Sequence, residues 1–534
     1  MSKKVGRRQF IKITGTAAIG AVVAVKTAVG AKAAKKSSDF DINAQFSTFM
    51  KDIGDSPKDA GGTVTFTGKD PMIQSRVRIG ACMALPAMAS GVGAAAIWKH
   101  RTGESQDLRI DLRESIYNVN PVIGLVQRLD QAAGRFPADH PVPKSFTFLP
   151  TINGLPYQAP LMLGHPLSFA MFETKDGRWV TPTGAYPHLY HGFLNVVGAS
   201  PSTESMATAI KKWDAADLDE TVANAGYVMG FHRTAEEWEQ HPEGQYLANT
   251  PLIDIRKVGE ADPIPYTADP KRPLSGVKAL SLTHVIAGTC AARTLAEYGA
   301  EVLHIARDQA VEHDFFVQDV NVGMRSAFLN LKNQEQNQIL ARLVSEANVF
   351  IEGFRGRSIE KLGFGIEEVA KRRPGIVYLS MRCYGWDGPW KDRPGFDMEG
   401  LTVSGITMAE AEGNRPKFPP TRVLNDYIAG YLGAAGILAA LRRQTRQGGS
   451  YHVRVNLARA AMWYRGIGLL PNKEVDLTDS EHRMIEPETI KKKTCYGEIH
   501  RLAPQVKLSK TPGRWREPLV SVRGSDKPVW ENQD

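Results

Sequence analysis

Asp426 heads an unusually small-residued apolar run, RVLNDYIAGYLGAAGILAAL, and its carboxylate is the side chain here most able to do chemistry. Such a group can cap the helix that follows it. It can also attack an activated acyl carbon as a nucleophile. On the residue alone the cap is the ordinary reading. Upstream, the phrase PGFD places Phe396 before Asp397. Phenylalanine cannot carry a proton. Asp397 reads as a structural hydrogen-bonding residue.

The elements that must position Asp426 begin at PLSGVKALSLTHVIAGTCAARTLAEYGAEVLHIAR. Two β-period apolar runs flank a helical one, a parallel α/β pattern. A dinucleotide fingerprint would put G-x-G-x-x-G in the first turn and an acid after the second strand. The turn instead reads Thr283-His284-Val285-Ile286-Ala287-Gly288, and Ala306-Arg307 follows the second strand. An NAD site is therefore not expected. A basic residue at that place suits a nucleotide with terminal phosphates, held by cations and by N–H groups at helix starts.

Further phrases follow in order: LNLK, IEGFRGRSIEKLGFGIEE, GPWKDRPGFDMEGLTVSG and the Asp426 helix. Together they resemble the family III CoA-transferases, the group of carnitine-CoA and formyl-CoA transferases and 2-methylacyl-CoA racemases. The resemblance implies an α/β fold, a Rossmann-like parallel-sheet CoA-binding domain plus a smaller α+β domain. It implies coenzyme A as co-substrate, no permanently bound cofactor and no metal. Asp426 would be the nucleophile, forming an aspartyl-CoA thioester. Arg307, Lys332 and Lys361 would lie around the adenosine and phosphate end of CoA, and His284 and Val285 beside its thiol. Phe354 would lie near the bound nucleotide. Arg355 and Arg357 are added candidates, because Gly356-Arg357 stands where Pro-Gly is usual. The racemases of the group carry His where this chain has Phe396, which disfavours racemisation. Acyl-CoA and carboxylic acids would be the partners, in a homodimer.

The phrases stand in an unusual order. GVGAAAIWKHRTGESQDLRIDLRESI, from Gly91, reads like YLGAAGILAALRRQTRQGGSYHVRVNLARAAM, from Tyr431. Each is an alanine-rich helix, a polar turn and an alternating strand, a degenerate repeat. In the first copy Met83 or Pro86 faces Asp426, so that copy cannot supply the same chemistry. MFETKDGRWVTPTGAYPHLYHGFLNVVG, with Asp176-Gly177 at a turn, resembles the family's small C-terminal domain, yet here it precedes the catalytic part. The expected layout is a leader over 1–34, a linker over 35–70 and a degenerate first copy with the small domain over 71–265. A catalytic domain over 268–462 and a linker with closing tail over 463–534 follow. The lid that covers the intermediate in many members has only a guess for a counterpart, Ile152 to Gln158.

The 534 residues carry a net charge of +9, and the nine Lys and Arg of residues 1–36 account for all of it. No basic excess remains for a phosphate backbone, so nucleic acid is not an expected partner. GRRQFIK, an apolar stretch from Ile13 to Val25 and the small residues after it have the layout of a twin-arginine signal. Cleavage after Ala31 or Ala33 and a periplasmic location are expected, with the translocase as a transient partner (cytoplasmic if the signal is unused). Cys82, Cys290, Cys383 and Cys495 show no metal spacing. The competing reading is an exported, catalytically silent protein that keeps the fold to bind a ligand.

Overall fold

The computed structural model describes residues 40–119, 121, 151–156, 170–184, 186–308 and 312–531. The leader lies outside them, as do Tyr157 and Gln158 of the guessed lid. Residues Phe40–Asp534 form one compact unit.

Short β-branched and leucine-rich runs, each closed by a polar turn, make a seven-stranded sheet. Starting from Lys278–Leu282, the chain adds Glu301–Ala306 and then Arg325–Phe328 on one side. It then crosses over to lay down Val349–Glu352, Val377–Arg382 and Ser450–Asn456 on the other. These six strands are parallel. Ile253–Gly259 joins Ser450–Asn456 antiparallel at the edge. The order reverses between Lys278–Leu282 and Val349–Glu352, so the turns after those two strands diverge and leave a crevice at the carboxyl edge. Open α/β sheets bind ligands at that place.

The helix Asn425–Gln447 is buried on nearly all sides, which its glycines and alanines allow. Against it packs Ile79–Thr102, a 24-residue helix of similar composition and apolar enough by length and composition to cross a membrane. Here it is core: its apolar window is wholly buried. A Cβ on Gly93 would come within 2.9 Å of Leu438, and Ser90 Oγ donates to the Tyr431 carbonyl at 3.1 Å. Close backbone approach, rather than lipid, explains the small residues.

The stretch expected to be a linker over 35–70 is structured where it is described. Ile42–Asp52 is a helix capped by Asp41, and Phe46, Phe49 and Met50 bury one face of it. Gly61–Thr67 is a strand parallel to Gln106–Asp111. The apolar spacing i, i+3, i+4 was there to be read. Residues 463–531 are likewise no loose connector. Lys507–Leu508 pairs with Gln106–Asp111, and Arg325 Nη1 donates to the Val529 carbonyl at 2.7 Å.

The smaller sheet has the expected hairpin. Phe172–Glu173 pairs antiparallel with Trp179–Pro182, and Gly177 takes φ 74° at the turn. Met229–Phe231 completes it, and three helices cover it around Phe193, Met206 and Leu218. Of the guessed lid, Thr151–Ile152 and Leu155–Pro156 form a short hairpin on Gly497–Leu502, and none of these residues lines the cavity described next.

Candidate active site

At the carboxyl edge a cavity of about 370 Å³ opens over the two diverging turns, and Asp426 lines it. The carboxylate is half-buried and sits in the first turn of its helix. It does not cap that helix. Asp397 does so from the preceding helix, Asp397–Val403: its Oδ2 accepts the Asp426 N–H at 2.9 Å and the Leu424 N–H at 3.2 Å. Asn425 Nδ2 donates to the Asp397 carbonyl at 3.0 Å. The Asp426 carboxylate accepts no hydrogen bond from the described residues. Burial, and then the charge of Glu399, push its pKa up to about 7. Burial and the Asp426 charge raise Asp397 too, while the backbone N–H groups it accepts oppose the rise.

Glu399 is held beneath this pair. Thr183 Oγ1 donates to its Oε1 at 2.5 Å and the Phe396 N–H to its Oε2 at 2.8 Å. Burial raises its pKa as well. Three carboxyl groups share one buried corner, so the corner holds fewer than three charges at neutral pH.

Of the other expected residues, His284, Val285 and Phe354 line the same cavity. His284 Nδ1 and the Tyr186 hydroxyl share a hydrogen bond at 3.1 Å, and burial lowers the His284 pKa to about 4, so it is neutral at pH 7. Val285 has φ 51°. A β-branched residue in the left-handed region is strained by roughly 1–3 kcal/mol. Its N–H faces Glu312 Oε2 at 3.3 Å. Ala287 and Gly288, which begin the helix Ala287–Glu297, also line the cavity, and no side chain caps that helix. An uncapped helix start is suited to an anionic oxygen.

Arg307, Lys332 and Lys361 do not line the cavity. All three are exposed, each beyond the carboxyl end of a sheet strand: Glu301–Ala306, Arg325–Phe328 and Val349–Glu352. They and Asp426 thus share an edge but not a pocket. Arg355 does line the cavity, its Nη1 donating to the Gly226 carbonyl at 2.9 Å, whereas Arg357 is exposed and pairs with Glu360. Lys391 and Arg382 also line it. Phe396 lines it too, stacked on Tyr186 with ring centroids 6.0 Å apart.

Sequence reasoning missed Tyr186, Arg382, Lys391 and Glu399. Tyr186 comes from the small α+β region, and nothing local announces that its ring reaches the turn after Lys278–Leu282. Glu399 had a signal: acids at 397 and 399 ahead of an apolar run mark a helix start.

Residues 274–514 match CoA-transferase family III. That segment is just under half of the chain, and it contains the six parallel strands and Asp426. Curated relatives support the same family. The chain is 30% identical over 339 residues to the acetyl-coenzyme A transferase nodX of Hypoxylon pulicicidum, covering 58% of this chain and 57% of that one. It is 27% identical over 459 residues to an acyl-CoA transferase of Gibberella moniliformis, covering 80% and 76%. It is 30% identical over 257 residues to the succinyl-CoA–L-malate CoA-transferase alpha subunit of Chloroflexus aurantiacus, covering 45% and 54%. The chain therefore spans between about half and three quarters of these relatives' lengths. Among solved structures, Rv3272 of Mycobacterium tuberculosis matches at 29% identity and TM-score 0.35, over 37% of this chain and 57% of that one. A CaiB/BaiF family protein from Brucella suis matches at 23% identity and TM-score 0.35, over 42% and 65%.

Proposed function

We propose that this chain is a CoA-transferase that moves CoA between carboxylic acids, with Asp426 as the nucleophile. The observation that carries the reading is the state of Asp426. It is the helix-start carboxylate that leaves capping to a neighbour and turns, without a hydrogen-bond partner among the described residues, into a cavity with cationic walls.

The chemistry proceeds in four balanced steps. The ionised Asp426 carboxylate attacks the thioester carbonyl of an acyl-CoA; the C–S bond breaks, leaving a mixed anhydride and CoA thiolate. The thiolate attacks the aspartyl carbonyl, the first acid leaves as carboxylate, and an aspartyl-CoA thioester remains. An acceptor carboxylate attacks that thioester and again displaces the thiolate. The thiolate then attacks the acceptor's acyl carbon, forming the new acyl-CoA and freeing Asp426.

Each tetrahedral oxyanion needs fixed donors. Within the Asp426 helix start, the N–H groups of Leu424 and Asp426 are already taken by Asp397. The uncapped start of Ala287–Glu297 and the neutral His284 ring stand in the cavity instead. Where the Tyr186 hydroxyl donates to Nδ1, His284 keeps its proton on Nε2. Arg355, Arg382 and Lys391 suit the pyrophosphate, and Arg307, Lys332 and Lys361 mark a path along the strand ends for the rest of the nucleotide.

The experiment is CoA transfer from a panel of acyl-CoA donors to free acids, by the parent and by Asp426→Asn. Transfer by the parent and a loss of at least about 10³-fold in the variant support the reading. Equal transfer by both, or no transfer and no CoA binding by the parent, rejects it.

A further inference from the structure

At the far end of the helix Ala287–Glu297 lies a second cavity, of about 440 Å³. The helix is 11 residues long, so its two ends stand roughly 16 Å apart. Its start opens on the Asp426 groove. At its end the Glu297 carbonyl accepts both Arg272 Nη2 and the Arg514 N–H, and both arginines line the second cavity. The two sites are thus separated by the length of the helix.

The charges at this end do not balance. Arg272 is half-buried, and its guanidinium donates to two backbone carbonyls among the described residues, those of Glu297 and Arg514. Arg514 is exposed, and its guanidinium makes no hydrogen bond or ion pair to a described residue. Burial first, and then the Arg514 charge, lower the pKa of Arg272 to about 10. Glu297, the acid nearest to it, is itself raised to about 7 by burial, so it supplies only part of a negative charge at neutral pH. Further round the rim, Lys492 pairs with Glu517 at 2.8 Å and Arg516 with Glu531 at 2.9 Å. Those two cations are neutralised. Arg272 and Arg514 have no such partner among the described residues, and they repel one another across a concave surface.

We propose that this cavity binds a small oxyanion, through the paired guanidiniums of Arg272 and Arg514. Two arginines that form no ion pair with a described carboxylate present several N–H donors to one multiply charged group, the chemistry that favours bidentate recognition. The volume exceeds that of a lone phosphate and falls in the ordinary range for small-molecule pockets. Trp515, Ile490 and Leu519 give the cavity an apolar flank, so the ligand carries an organic body as well as its charge. The anion is a phosphate ester or a polycarboxylate, and it binds independently of the reaction proposed for Asp426.

The test is calorimetric titration of the full chain with inorganic pyrophosphate and, separately, with citrate, at low salt. A site is expected that is weakened at least tenfold in Arg514→Gln and unchanged in Arg355→Gln, whose side chain lines the other cavity. Binding of pyrophosphate alone identifies a phosphate ester, and binding of citrate alone a polycarboxylate. No binding of either anion overturns the proposal, as does binding that survives Arg514→Gln unchanged. Because Arg514 is exposed, its loss leaves the fold intact. Loss of binding only in Arg355→Gln would assign the anions to the Asp426 groove and overturn it too.

Discussion

A carboxyl group with a pKa near 7 can be nucleophile or acid, and at Asp426 the proton decides which. Ionisation is needed for attack on a thioester, so transfer should rise with pH through about 7 and level off above it. A flat profile from pH 5 to 9 would show that the burial does not act as described. The same shift has a cost in stability. The folded-state value lies above the ordinary carboxyl value of 3.8, so the unfolded chain gives up its proton first and stability falls as pH rises from about 4 to 7. Asp426→Asn removes the buried charge, and should unfold at higher denaturant than the parent above pH 7, by on the order of 2–4 kcal/mol. The advantage should vanish below pH 4. At this scale the sequence was informative where a residue's chemistry is intrinsic. Asp426, His284 and Phe354 were legible, and so was the inability of Phe396 to carry protons. Tyr186 was not, because its place depends on a remote element folding back.

Between residues and fold, the helix starts decide the site. Asp397→Ala would strip the acceptor from two buried N–H groups and lower stability by roughly 1–3 kcal/mol. It should also depress transfer by loosening the first turn that carries Asp426, while Asp397→Asn keeps part of both. The Val285 turn offers an opposite sign. Val285→Gly removes a side chain from φ 51° and should cost no stability, or gain up to about 1 kcal/mol, although glycine loosens the unfolded chain. Thermal unfolding of the pair distinguishes strain from ordinary packing loss. The helix pair also shows where periodicity misleads. Matching the small residues by eye set Met83 or Pro86 opposite Asp426. The helices themselves end at Gly103 and Gly448, and Asp426 lies 22 residues before the second as Ala81 lies 22 before the first. Asp70 caps the Ile79–Thr102 helix through Gly80 and Ala81, at 2.9 and 2.8 Å, much as Asp397 caps its partner. Runs of alanine and glycine fit several registers equally well, so composition alone could not choose among them.

Across the whole molecule, the groove is built by segments distant in the chain: Tyr186 and Val228 from the small α+β region, His284 and Phe354 from the two diverging turns, and Asp426 from the long helix. The six-stranded parallel order was legible as α/β because each strand announces itself locally. The joining of the strands Gly61–Thr67 and Lys507–Leu508 to the core was not, because short strands at an edge have little pattern of their own. Tight helix packing makes a matching demand on the core. Gly93→Leu should destabilise by roughly 1–3 kcal/mol or prevent folding, since even a Cβ meets Leu438. Export remains a proposal resting on the basic leader, and cell fractionation of the parent against an Arg7→Lys, Arg8→Lys pair tests it. The central claim is that Asp426 itself carries CoA. Its most direct test is mass spectrometry of the protein mixed with an acyl-CoA and no acceptor. A mass gain of one CoA less water, on the peptide holding Asp426 and absent from Asp426→Asn, is the expected result. Full transfer activity with no covalent adduct, or with the adduct on another residue, would contradict it.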